Sequence, residues 1–323
     1  MHRRALLQLA TLMPFGLVGP RIAWGDEWPQ RPVKFIVPFG PGGANDIAAR
    51  IFADRLSPIW RQPVVVENRP GGDAVVAISA VVGANDDHVL LFTASASFTP
   101  HPYVHENLSY DAKRDLLPVA GVSELSIGIA VPQSLNVDSL PGLVSLVREQ
   151  PGKLNWGAIS SLDDFVFRGF LKSTGLAMSR VPYRDPISAL NDLTESRIDV
   201  CLAALALVLP RMQTGKVKAI AVTNRERSPA APNLPTATEA GYPLLTYGPL
   251  LGVFGSRALT PEIRERIASG LQTAAADPAV VNRLAPTGQV VRFVAHTEFI
   301  ETIEQERAKI AAIAKVVDIH HGE

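Results

Sequence analysis

The stretch Val33-Lys34-Phe35-Ile36-Val37-Pro38-Phe39-Gly40-Pro41-Gly42-Gly43-Ala44-Asn45-Asp46 decides the fold. Its first six residues are a short β-branched run, Val33–Pro38, that reads as a strand. A glycine loop follows, and Ile47, Ile51, Phe52 and Leu56 then recur at helical spacing over Asn45–Ile59. Strand, glycine loop and helix in that order open a βαβ unit. Successive backbone N–H groups at such a helix start form an anion-binding concavity. The loop is not a phosphate loop, because no lysine follows it, and not a dinucleotide fingerprint, because position 45 is Asn. A tight turn with no ligand accounts for the same spacing equally well.

Outward from this loop the alternation continues. Pro63–Glu67 and Val89–Thr93 read as strands around a helix at Ala74–Val82. A second series begins near Ile127–Val131 and runs through Leu154–Ala158, Met178–Val181, Val200–Leu205 and Lys218–Val222, with helices between. Leu250–Gly255 is a further strand, and Pro261–Ala275 and Thr297–Ile313 are closing helices. The expected fold is α/β with two lobes, each a mostly parallel sheet flanked by helices. Residues 26–124 and 250–323 make one lobe and 125–249 the other. Ligands in open α/β sheets sit beyond the carboxyl ends of the strands, which places a site in the cleft between facing lobes.

Composition narrows the function. Of 323 residues 47% are hydrophobic, and Lys+Arg and Asp+Glu are both 31, so bulk charge favours neither nucleic acid nor an anionic membrane surface. His2, Arg3 and Arg4 precede an apolar stretch, Ala5–Val18, too short to span a bilayer. Ala23-Trp24-Gly25 then supplies small residues at −3 and −1, so residues 1–25 read as a signal peptide cleaved after Gly25. The single cysteine, Cys201, lies in an apolar run and reads as a buried hydrophobe. His88, His101, His105 and His296 are scattered, with no H-E-x-x-H motif, no Cys/His cluster, no nucleophile elbow and no Ser-x-x-Lys pair. No enzyme, cofactor or metal is expected.

Several segments together resemble the substrate-binding proteins of tripartite tricarboxylate transporters, the Bug family. They are Pro38–Arg50, Val64-Val65-Val66-Glu67-Asn68-Arg69-Pro70-Gly71-Gly72 and Val181-Pro182-Tyr183-Arg184, with Gly215–Thr223 and Pro232–Gly241 beyond them. The resemblance implies a periplasmic "Venus flytrap" that captures a small organic carboxylate and delivers it to a two-subunit membrane permease. It implies a monomer with no nucleic-acid partner. By that pattern Phe39, Gly40, Gly42 and Gly43 line the site, with Pro41 between them, and Asp46 stabilises the loop. Thr93-Ala94-Ser95 offers donors at a strand end, and Gly72 belongs to the second glycine pair. On the second lobe Ser160, Ser161, Tyr183 and the Ala203 backbone face the ligand. Arg69 and Arg184 suit bidentate carboxylate contact, although Arg184 has Asp185 beside it.

Two departures from the family pattern bear on the ligand. Gly71-Gly72 runs straight into Asp73, and Ser160-Ser161-Leu162-Asp163-Asp164-Phe165 replaces a Gly-Ser-rich turn. Asp73 and Asp164 fit helix caps. If the acids face the cleft instead, they disfavour a tricarboxylate and leave a mono- or dicarboxylate, with Phe165, Phe167 and Phe170 offering an apolar second wall. A periplasmic sensor that presents its ligand-bound form to a receptor is the competing role for the same fold.

Overall fold

In Val33–Val37, the first strand (β1), only Lys34 is exposed, so both faces of the strand are covered and it must lie inside a sheet. The computed structural model describes residues 28–158, 161–183 and 186–317, apart from the side chains at 161 and 186. From β1 the chain passes through the glycine loop into α1 (Ala44–Trp60), which buries Ala48, Ile51, Phe52 and Leu56. β2 (Val64–Asn68) pairs parallel to β1, and after α2 (Val75–Ala84) so does β3 (Val89–Ala94) on the other side. Two short helices follow, α3 (His101–Val104) and α4 (Ala112–Asp115), and then β4 (Leu117–Glu124).

The chain next forms β5 (Ile127–Pro132), α5 (Leu140–Glu149), β6 (Asn155–Ala158), α6 (Ser161–Thr174) and β7 (Ser179–Arg180). It continues through α7 (Pro186–Thr194), β8 (Val200–Ala204), α8 (Leu205–Met212) and β9 (Val217–Val222). β10 (Leu250–Gly255), α9 (Pro261–Ala275), α10 (Pro278–Leu284), β11 (Val290–Val294) and α11 (His296–Ala314) complete it. Among the described residues the strands form a six-stranded sheet, β11-β4-β10-β3-β1-β2, and a five-stranded sheet, β7-β6-β8-β5-β9. The fold is therefore α/β and two-lobed. No helix among the described residues is long and apolar enough to cross a membrane.

The sheets are mixed, whereas the alternating pattern reads as mostly parallel. β10 runs antiparallel to β3 and β4, and β5 runs antiparallel to β8 and β9. The cause is the route between sheets. β4 passes into β5 through Leu125 and Ser126, and β9 returns toward β10 through Thr223–Pro249. A strand that begins at the cleft must run opposite to the strands that end there, and β5 and β10 both begin at the cleft.

Buried polar groups at these passages are all paired, as burial demands. The Asn224 amide donates to Glu124 Oε1 and to the Leu125 carbonyl, both at 2.8 Å, while its oxygen accepts from Ile127 N at 3.2 Å. Leu125 N donates to Pro249 O and Thr223 N to Ile127 O, each at 2.9 Å. On the first lobe Phe35, Phe52, Phe92 and Trp60 form an aromatic core, with the Phe35 and Phe92 centroids 5.4 Å apart. On the second, Trp156 and Phe167 approach to 4.7 Å, and Phe165, Phe167 and Phe170 are all buried. These phenylalanines are core, not a ligand wall.

α11 packs back against β4 and α6, and Glu306 on it turns its carboxylate inward. Thr99 Oγ1 donates to that carboxylate at 2.5 Å and Ser95 Oγ at 3.1 Å. Burial nevertheless pushes its pKa up from 4.5 to about 7. A carboxyl group whose folded pKa is raised contributes its full stability below the unfolded value, and the contribution is lost as pH rises through the folded one. Stability to urea should thus fall by on the order of 2 kcal/mol between pH 4.5 and about 7. Glu306→Gln should flatten that decline and be the more stable protein above this range; equal pH profiles would contradict it.

Two glycines give an opposed pair of expectations. A Cβ on Gly252 would meet the Phe299 ring and lie 2.7 Å from the Ala120 carbonyl, whereas one on Gly83, inside α2, meets nothing within 4 Å. Gly252→Ala should destabilise by about 1–3 kcal/mol or more through overpacking. Gly83→Ala should stabilise by about 0.5–1 kcal/mol through helix propensity. Chemical denaturation of both variants checks the sign at each position.

Candidate functional site

Position 42 takes φ +80°, which glycine adopts without strain, and this bends the loop back toward α1. The bend lets Asp46, on the first turn of α1, hold the loop from below. Its carboxylate accepts from Gly42 N at 2.9 Å and from Asn68 Nδ2 at 2.9 Å, and pairs with Arg50 at 2.9 Å. The Asn68 amide also donates to the Phe39 carbonyl at 2.9 Å, tying the loop to β2. Burial pushes the Asp46 pKa up, but the hydrogen bonds from Arg50, Gly42 and Asn68 together outweigh it and hold the group below 3.8. Asp46 is ionised and fully committed to loop geometry.

Beyond the loop lies a cavity of about 80 Å³ between the lobes. Phe39, Gly43, Ala44 and Asn45 form one wall. Gly43 is the N-cap of α1 and has no side-chain cap, so the first N–H groups of a 17-residue helix open toward this space. An uncapped helix N-terminus carries a partial positive charge and free donors. Ala94, Ala96 and Ser97, at the end of β3, extend the wall. Behind them Asn45 Nδ2 donates to Thr93 Oγ1 at 3.1 Å, and Thr93 and Ser97 hydroxyls lie 2.9 Å apart.

The floor comes from the inter-sheet passages, Leu125, Ile127 and Pro249. The opposite wall is Ala204, Leu207 and Asp163, the last in the first turn of α6. Asp163 is 3% exposed, and its Oδ1 accepts from Tyr247 OH at 2.5 Å. Burial, reinforced by the Asp163 charge, raises the Tyr247 pKa well above its ordinary value, so Tyr247 is the neutral donor of this pair. The cleft therefore sets a positive helix end against a carboxylate across mostly apolar walls.

Of the residues singled out from the sequence, Phe39, Gly43 and Ala94 line this cavity. Gly40, Pro41 and Gly42 are exposed on the loop, with the Gly42 N–H used by Asp46. Thr93 lies behind the wall, and the Ser95 hydroxyl goes to Glu306 instead. Arg69 is ion-paired with Glu67 at 2.6 Å on the surface, and Gly72 is exposed at φ +56°. Tyr183 donates to Asp192 at 2.8 Å and its ring packs on Gly157. Ala203 is fully buried in β8, and its neighbour Ala204 reaches the cavity. Ser160 and Arg184 lie outside the described residues, as do the side chain of Ser161 and residues 1–25.

The acids separate cleanly. Asp164 is buried against Arg180 at 2.5 Å and Arg168 at 3.4 Å; burial raises its pKa against the pull of the two arginines. Asp73 does not cap α2, whose N-cap is Ala74 without a side-chain bond, and it faces His101 instead. Asp163 alone of the three lines the cavity. Ser97, Leu125, Ile127, Leu207, Tyr247 and Pro249 were not marked by sequence reasoning. Asn45 carried the available signal, a polar residue at the start of α1 that reads as a cap and in fact buttresses the cleft wall.

Residues 48–319 match the family described as the tripartite tricarboxylate transporter family receptor. Protein BugT of Bordetella pertussis is 30% identical over 300 residues, covering 92% of this chain and 89% of BugT. Among solved structures, R. palustris Rpa4515 with adipate is similar at TM-score 0.84 and 27% identity, covering 91% of this chain and 100% of that one. MatC from Rhodopseudomonas palustris with bound malate is similar at TM-score 0.79 and 25% identity, covering 89% and 100%. With its two α/β lobes and an uncapped helix start opening on the cleft between them, the chain belongs to the tripartite tricarboxylate transporter receptor family, substrate-binding proteins and not enzymes.

Proposed function

We propose that this chain is a periplasmic receptor that captures a small organic mono- or dicarboxylate between its lobes, closes on it and delivers it to a two-subunit membrane permease. In this reading residues 1–25 direct export, residues 26–124 and 250–323 form the lobe that binds first, and residues 125–249 close over it as one monomer. The observation that carries the proposal is the uncapped start of α1, with Gly43, Ala44 and Asn45 lining the cavity. One carboxylate fits there, on free N–H groups at the positive end of a helix. Adipate and malate, found in two structural relatives, are both dicarboxylates.

The second end of the ligand meets Asp163 and the apolar Ala204 and Leu207. A carboxylate facing Asp163 is repelled, so the second end is best neutral, a hydrogen-bond donor, or long enough to carry its charge past the acid. A compact tricarboxylate satisfies none of these. Gly40, Pro41 and Gly42, exposed on the loop, remain candidate contacts once the lobes close, beside Phe39 and Ala94 of the cavity wall, and Ser160 and Ser161 are proposed with them.

A thermal-shift screen of organic acids should give stabilisation by mono- and dicarboxylates and none by citrate, because a ligand that binds only the folded state raises its stability by mass action. The active acid should also reduce the radius of gyration in scattering. Gly43→Asp, whose Cβ would sit 3.4 Å from the Gly40 carbonyl, puts a carboxylate at the helix start. It should weaken binding by about tenfold or more while leaving the free protein's melting temperature nearly unchanged. Undiminished affinity by calorimetry would remove the α1 start from the site.

Asp163→Asn tests the other wall. Removing the charge should raise affinity for dicarboxylates relative to the matching monocarboxylates by about tenfold. An unchanged ratio would mean that Asp163 does not face the ligand.

A further inference from the structure

Away from the cleft cavity, three side chains distant in sequence converge. His101 and His105 are four residues apart, at the start and the C-cap of α3, so their rings project from one face. Their ring centroids are 4.9 Å apart in an edge-on arrangement. Asp73 reaches them from the turn before α2, with Oδ2 at 3.4 Å from His101 Nε2 and 4.0 Å from His105 Nε2.

The two imidazole nitrogens are the telling atoms. His101 is fully buried, and among the described residues neither its Nε2 nor that of His105 makes a hydrogen bond. A buried ring nitrogen without a partner is costly, and here two of them point at one carboxylate. His88 provides the contrast. Its Nδ1 pairs with Asp87 at 2.5 Å and its Nε2 accepts from Gln30 N at 3.3 Å, so both nitrogens are used although Asp86 and Asp87 are close.

We infer that Asp73, His101 and His105 form a site for a transition-metal dication such as Zn2+, with water completing the coordination. Two imidazoles and one carboxylate are a ligand set that zinc takes in tetrahedral geometry, leaving one position open. At bond lengths of about 2.0–2.1 Å, neighbouring tetrahedral ligand atoms stand about 3.3 Å apart, close to the observed His101–Asp73 separation. The candidate ligand atoms all lie within 4.8 Å of one another, so a modest side-chain rotation at His105 completes the set. The side chains of His105 and Asp73 are 31% and 27% exposed, which gives an ion and its water access from one side.

The outer shell is also in place. His101 Nδ1 lies 2.5 Å from Tyr110 OH, so a ring that binds metal through Nε2 donates its Nδ1 proton to the Tyr110 oxygen. Such a partner fixes the tautomer and orientation of a ligating histidine. Tyr103, on the same short helix, packs its ring at a tilt against Phe165 of α6, with the centroids 6.0 Å apart. An ion at this site would therefore brace α3 where the first lobe touches the second.

Zinc titration of the metal-stripped, full-length mature chain, read by calorimetry and by metal content after dialysis, tests the assignment. One equivalent of Zn2+ should bind. His105→Gln, at the half-exposed position, should weaken it by about a hundredfold and Tyr110→Phe by about tenfold. His88→Gln should leave affinity unchanged. Circular dichroism on each variant separates loss of metal from loss of fold, and His105→Gln keeps the test open should a His101 substitution unfold the chain. Substoichiometric binding, unchanged affinity in His105→Gln, or loss of binding in His88→Gln would each overturn the site.

Discussion

Asn224 sits where two passing stretches of backbone leave one sheet and have not yet joined the other, a place where neither sheet can supply ladder partners. Its side chain replaces that ladder by donating to Glu124 and Leu125 on one passage and accepting from Ile127 beyond it. Buried backbone groups left unpaired here would cost about 1–3 kcal/mol each. The knot fixes the two passages side by side, and much else follows from that. Strands that enter a lobe at the knot run against those that finish there, which makes both sheets mixed. The passages themselves, Leu125, Ile127 and Pro249, become the floor of the cleft. In the proposed closure a ligand in this cavity would rest on the same backbone about which the lobes turn, which would couple contact with it to their rotation.

On that floor the charges are arranged with little redundancy. The positive end of the cleft is not a side chain but the start of α1, kept open because its N-cap, Gly43, has no side chain and Asp46 in the first turn is spent on the loop. Arg50 and Asn68 hold Asp46 in turn, so the donors facing the cleft are rigid backbone groups whose orientation is set before any ligand arrives. Preorganised backbone donors lose no side-chain entropy on binding, unlike an arginine fork. Arg69, which the sequence offers for bidentate carboxylate contact, is meanwhile paired with Glu67.

The alternation of short strands with longer helical patterns was enough to read two α/β lobes, and the glycine loop identified the end of the molecule that faces the cleft. What the pattern could not show was strand direction at the lobe boundary, because β4, β5, β9 and β10 are ordinary apolar strands whose polarity depends on where the chain crosses. The site was half legible for a related reason. Phe39, Gly43 and Ala94 stand at strand ends or a helix start, where local sequence has positional meaning. Leu125, Ile127 and Pro249 reach the cavity only through the crossings, and nothing in their own neighbourhoods marks them. Among the acids, Asp73, Asp163 and Asp164 look alike in sequence; tertiary partners alone send one to histidines, one to the cleft and one to Arg180.

The placement of Asp163 shows how the far helix takes part in the cleft without touching it. Tyr247, which donates to Asp163, lies on the returning passage Thr223–Pro249, outside the strands of either sheet. Lys309 on α11 donates to the Thr246 carbonyl at 2.6 Å and stands 5.8 Å over the Tyr247 ring. Burial lowers the Lys309 pKa, an effect reinforced by Arg225 and opposed by Glu306, whose own carboxylate is held by Ser95 and Thr99 beside the cleft wall. The acid on one lobe is thereby referenced, through a tyrosine on the hinge passage, to a helix packed on the other. Its position relative to the start of α1 is thus set by three elements together. In the proposed function, the spacing between the positive helix end and Asp163 would set the length and charge of the acid that the cleft accepts.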